Sequence, residues 1–106
     1  TVIAGVYETQ TELFSEDIAI KEVRFYTKPL VANNKFDVIL IGSDGNLITN
    51  SSKTFEVGVD VTSGDDLVRY SPDMEETYAL GLRITNAGTA NWVLKKVEID
   101  YEEVKS

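Results

Sequence analysis

Acidic and aromatic side chains are the chemistry-bearing groups of this 106-residue chain, which contains no histidine and no cysteine. These two absences remove the Ser-His-Asp triad, an imidazole base, a thiolate nucleophile, disulfides and the His or Cys sites that hold zinc. Adjacent carboxylates stand at Asp65-Asp66, Glu75-Glu76 and Glu102-Glu103, and two acids converging on one bond would run glycoside hydrolysis. Neighbouring residues of a strand point to opposite faces, however, so these pairs read as solvated charge. No catalytic residue is assigned, and the chain is expected to bind rather than catalyse.

Calcium is the metal the composition suits best, because turn oxygens are its ligands: Asp44 and Asn46, Asp60, Asp65 and Asp66, Glu16 and Asp17. Asp44-Gly45-Asn46 is like a fragment of a calcium loop, yet a hairpin wants the same residues for turn geometry alone. Neither a metal nor a cofactor is therefore assigned. Exposed aromatics offer a different chemistry, since sugar rings stack their C–H faces on Tyr and Trp while charged neighbours fix hydroxyls. Tyr26, Arg24, Tyr70 and Trp92 are the candidate ligand-binding residues, with Tyr7 a further aromatic. Tyr26 shares strand parity with Glu22 and Arg24, opposite Val23 and Phe25. The alternatives are an edge-packing or oligomer-contact role for Tyr26 and a core or rim position for Trp92.

The net charge of −8, from 18 acids against 10 bases, repels phosphate backbones and anionic lipid, so neither nucleic acid nor membrane is an expected partner. It also keeps an edge-bearing β protein soluble. Gly42 to Gly45 is too short for a phosphate cradle and precedes no helix. No apolar run approaches the length of a membrane-spanning helix. The chain begins at Thr1 without methionine, as a processed product or a piece of a longer chain would.

The elements that must position these residues are strands. An apolar fraction of 42% over this length suits one core, read as a single domain over residues 1–106. Alternation is clearest from Thr77 to Thr85, where Tyr78, Leu80, Leu82 and Ile84 share one face. A polar turn follows, and Trp92 to Tyr101 resumes the pattern with Val93, Val97, Ile99 and Tyr101. Lys95 falls on that apolar parity, so a bulge is expected between Trp92 and Lys96. A second slip is expected within Ile18 to Thr27, where Ile18 and Ile20 lie on one parity and Val23 and Phe25 on the other.

Phe36 to Ile41 is apolar on both faces and predicts a central strand, covered on both sides or by a neighbouring subunit. Asp44-Gly45 is its reversal point and Leu47-Ile48-Thr49 the expected return. Shorter candidates are Val2 to Tyr7, Thr11 to Phe14, Thr54 to Val59 with Phe55, Val57 and Val59 inward, and Leu67 to Tyr70. Ser71-Pro72 allows one helical turn between Tyr70 and Glu76. The total is about eight or nine strands with no crossover helices, which implies an antiparallel all-β sandwich or barrel.

Tyr78-Ala79-Leu80-Gly81-Leu82-Arg83-Ile84, a turn, and Trp92-Val93-Leu94-Lys95-Lys96-Val97-Glu98-Ile99-Asp100-Tyr101 resemble the closing hairpin of jelly-roll modules. Two groups share that ending: the modules of tailed-bacteriophage virion proteins (fibre, decoration and baseplate) and the carbohydrate-binding modules of bacterial glycosidases. The resemblance implies a jelly-roll-type β-sandwich in a virion or extracellular setting, with protein partners or self-association, or with a glycan. Many carbohydrate-binding modules carry a calcium-holding Asp just before the last strand's apolar pattern. Lys95 and Lys96 stand there instead, which favours the virion group.

Overall fold

A computed structural model describes residues 1–104; Lys105 and Ser106, part of the expected domain, lie outside the described residues. Eight strands run in chain order: β1 (Val2–Ile3), β2 (Val6–Glu8), β3 (Glu12–Thr27), β4 (Lys35–Ile41), β5 (Lys53–Glu56), β6 (Leu67–Tyr70), β7 (Thr77–Asn86) and β8 (Trp92–Glu103). One layer has the order β1-β8-β3-β6 and the other β2-β7-β4-β5, every pairing antiparallel. First pairs with eighth, second with seventh, third with sixth and fourth with fifth, the ladder of one long hairpin rolled up on itself. This is the jelly-roll arrangement, two Greek keys forming a sandwich.

β3 joins the layers. Its start continues the edge set by β2 along β7, with Glu12 opposite Leu80 and Leu13 opposite Ala79. From Ile18 onward it pairs with β8. The core between the layers is built from Ile3, Ile18, Val23, Phe25, Val68, Trp92 and Leu94 on one side and Phe36, Val38, Leu40, Phe55, Leu80, Leu82 and Ile84 on the other. Alternation along the strands sends these residues inward, and in the central strands β7 and β4 their neighbours Ala79, Gly81 and Ile41 are buried as well.

Both bulges are present, and each extra residue is a lysine. Ile20 faces Tyr101 and Glu22 faces Asp100, so Lys21 is unmatched; Tyr26 faces Lys96 and Thr27 faces Leu94, so Lys95 is unmatched. Each bulge exchanges the parity of the strand, which lets Ile18 and Phe25, or Leu94 and Val97, face the core from one strand. β4 lies between β5 and β7, a central place in its layer. Ile41 is buried and Ile39 half-buried within this chain.

Several expectations are corrected. Leu47 to Thr49 is not a return strand: only an isolated Ile41–Leu47 bridge forms, and β4 pairs with β5, from Val38 opposite Lys53 to Lys35 opposite Glu56. The turn at Ser43–Gly45 is a short 3-10 segment with Asp44 and Gly45 at positive φ. Asn50, at φ 63, lies in the turn that returns the Ser51 N–H to Ile48 O, and pairing resumes at Lys53. Val59 is exposed because the chain turns at Gly58, φ 94, two residues past the end of β5. Tyr78 is exposed at the outer start of β7. Tyr70 to Glu76 contains no helical turn past the end of β6. Val2 to Tyr7 is two strands, one in each layer.

Candidate functional site

The outward face of β3 and β8 gathers the charged candidates. In register, Glu22 lies opposite Asp100, Arg24 opposite Glu98 and Tyr26 opposite Lys96, and directly opposed side chains on one face of an antiparallel pair touch. The Arg24 guanidinium donates to both Asp100 oxygens at 2.6 and 3.1 Å and to Glu22 Oε1 at 2.8 Å. Glu98 stands 3.7 Å from its Nε. The two-pronged contact to Asp100 uses the planar fork that distinguishes arginine from lysine.

Asp100, then Glu22, raise the already high pKa of Arg24 further. Reciprocally, Arg24 lowers the Asp100 carboxyl below its ordinary range. Glu98 is lowered by the Tyr26 hydroxyl first and Lys96 second. Lys96 ion-pairs with Glu98 at 3.2 Å and holds its ammonium 5.3 Å from the centre of the Tyr26 ring. Arg24 and Tyr26 are thus brought together, and Asp100 joins them. The guanidinium fork and one face of the ring are engaged by the protein's own side chains.

Tyr70 and Trp92 lie on the other side of the layer. Tyr70 pairs with Val23, so it faces inward, stacked on Phe25 at 6.2 Å and edge-on to Phe55 at 5.7 Å. Its hydroxyl donates to Ser51 O at 3.1 Å, and burial pushes its phenol pKa up. Trp92 is 4% exposed and stacks on Phe36 at 4.2 Å. Its indole N–H has no hydrogen-bond partner among the described residues. These two rings complete an aromatic core and present no platform to a ligand. Tyr7 is half-buried against the same core.

A cleft of about 330 Å³ opens along β8 between the layers. Val97, Ile99 and Tyr101 form one wall and Leu80 and Leu82 the floor, with Thr9, Gln10 and Glu12 on the far lip. Phe14 meets Tyr101 edge-on at 5.2 Å. The parity of Val97, Ile99 and Tyr101 was legible in the sequence; their meeting with Phe14 was not, because it depends on β3 crossing between layers.

Two of the acids considered as calcium ligands, Asp60 and Asp65, hold backbone. Asp60 Oδ2 accepts from the Glu56 N–H at 3.2 Å and Asp65 Oδ2 from the Thr62 N–H at 2.9 Å, the usual work of Asp in a turn. Among the described residues no three His, Cys, Asp or Glu side chains are grouped to hold a metal ion. Comparison of the chain with family models, with curated proteins and with solved structures returns no match.

Proposed function

We propose that this chain is a non-catalytic structural or adhesion module of a phage particle, working as a capsid-decoration, fibre or tail component. The observation that carries the reading is how the jelly roll uses its side chains. Its interior is filled with aromatic and aliphatic groups, and its most charged face is internally paired around Arg24. What it offers a partner is sheet edge and exposed apolar surface, including Val6, Leu13 and Tyr101. Such surfaces serve assembly. The partners are other virion proteins or further copies of the chain, and the setting is the virion or the extracellular space.

Mass spectrometry of particles sedimented from the source culture tests this. Peptides of this chain in the particle fraction, at a constant ratio to the major capsid protein, are the expected result. Their confinement to the soluble fraction would sink the assignment. The competing reading is a carbohydrate-binding module with Tyr26 and Arg24 as its platform. A glycan array separates it: binding abolished by Tyr26→Ala favours the module, and silence across the array removes it.

A further inference from the structure

We propose that the open edge of β8 is a self-association surface, on which a second copy of this chain lays its own β8 antiparallel across a two-fold axis at Ile99. On one side β8 is paired to β3 from Leu94, opposite Thr27, to Glu103, opposite Ile18, with Lys95 bulged out. On the other side β1 covers only Trp92 and Val93, and Thr1 reaches Leu94. From Lys95 to Glu103 that side has no strand partner among the described residues.

The backbone groups there point outward. The Val104 N–H donates to Asp17 O at 2.8 Å, which fixes the phase of the ladder. Because hydrogen-bonding direction alternates along a strand, Tyr101, Ile99 and Val97 turn their N–H and C=O groups away from β3. Their side chains form the wall of the cleft, and Tyr101 is 45% exposed. Unpaired edges recruit strands, and proteins suppress this by keeping edge strands short. The edge strands β1, β2, β5 and β6 are short, with 2, 3, 4 and 4 residues, and the edge run at the start of β3 pairs with β7 only at Glu12 and Leu13 before its register shifts.

Charge complementarity selects a second copy as the occupant. With Ile99 opposite its own equivalent, Val97 meets Tyr101 and Lys96 meets Glu102, each twice by symmetry. Glu98 then meets Asp100, the two carboxylates that Arg24 already holds, and each copy brings its own guanidinium to them. Sliding the partner two residues one way sets Asp100 against Asp100 and Glu98 against Glu102; sliding it the other way sets Glu98 against Glu98 and, although Lys96 then meets Asp100, runs Glu102 and Glu103 onto Leu94 and Val93, which Thr1 and Val2 already cover. Sliding it by one puts Val97 and Ile99 opposite charged residues that point to the other face. This surface does not depend on the particle assignment, which a different measurement reads.

Cysteine scanning tests the register directly, because the chain has no thiol of its own. In Ile99→Cys the two introduced thiols face each other at the axis, with Cα atoms about 5.5 Å apart, inside the ~4.4–6.8 Å that a disulfide spans. Tyr101→Cys puts its thiol opposite Val97, out of reach of its own copy. The expected results are a doubled mass by light scattering at high micromolar concentration, and covalent dimer on mild oxidation of Ile99→Cys with little from Tyr101→Cys. Lys96→Glu should raise the dimer Kd about tenfold, and Lys96→Glu combined with Glu102→Lys should restore it. Ile99→Pro removes an N–H that faces the open edge and none that faces β3, so it should leave a folded monomer by circular dichroism. A monomer at millimolar concentration overturns the proposal. So does crosslinking of Tyr101→Cys without Ile99→Cys, or a dimer indifferent to both Lys96→Glu and Ile99→Pro.

Discussion

Ser51 is fully buried beside the point where β4 loses its strand partner, and its hydroxyl does the work of a missing ladder rung. Its Oγ accepts the Leu40 N–H at 3.0 Å and donates to Ile48 O at 2.7 Å. Truncation in Ser51→Ala leaves Ile48 O with one remaining donor, the Ser51 N–H at 3.3 Å. The Leu40 N–H, on a residue with no exposure, loses its acceptor outright. An orphaned buried backbone donor costs about 1–3 kcal/mol, so the expected loss is about 2 kcal/mol. For a domain of this size that corresponds to a fall in Tm on the order of 10 °C. Urea unfolding followed by circular dichroism measures it, with exposed Ser52 as the control: Ser52→Ala should stay within about 0.5 kcal/mol of the parent. A Ser51→Ala loss as small as that of the control would refute the claim that the hydroxyl replaces the rung.

The Arg24 network should appear on the acid side of the stability profile. Asp100 is lowered by Arg24, and Glu98 by Tyr26 and Lys96; the stabilisation is therefore present at neutral pH and is lost as pH falls from the unfolded carboxylate values through the depressed folded ones. Arg24→Met should flatten that decline in stepwise-pH urea titrations and return the Asp100 carboxyl resonance toward ordinary aspartate titration. Gly88→Ala should destabilise by about 3 kcal/mol, because a Cβ there would lie 2.2 Å from Asn33 O and 2.7 Å from Lys35 N, both backbone atoms; a Tm within a few degrees of the parent would contradict this. Trp92, the one tryptophan, should emit at short wavelength when folded, resist iodide quenching and stay unchanged on glycan addition. Trp92→Ala should cost about 3–5 kcal/mol, and Trp92→Phe less, since it discards an unpartnered buried N–H along with the ring volume.

The all-β class, the strands β7 and β8 and both bulges were determined by the sequence itself. Period-2 alternation needs only local backbone geometry, and the parity changes around Lys21 and Lys95 require an extra residue whatever the strand pairs with. The absence of His and Cys likewise excludes whole classes of chemistry without reference to any fold. Only the tertiary structure decided which strands are neighbours, because main-chain ladders carry no side-chain address: nothing local to Phe36 to Ile41 says that it pairs with Lys53–Glu56 rather than Leu47 to Thr49. The same is true of the candidate site. Tyr26 and Tyr70 are alike as residues, yet β6 is too short to show alternation, and only its pairing of Tyr70 with Val23 turns that ring into the core while Tyr26 stays out beside Arg24. Trp92 is buried because β1 folds back onto the start of β8, with Ile3 opposite it, a contact between the two ends of the chain. The open edge from Lys95 to Glu103 has the same origin, since β1 is only two residues long and pairs with Trp92 and Val93 alone.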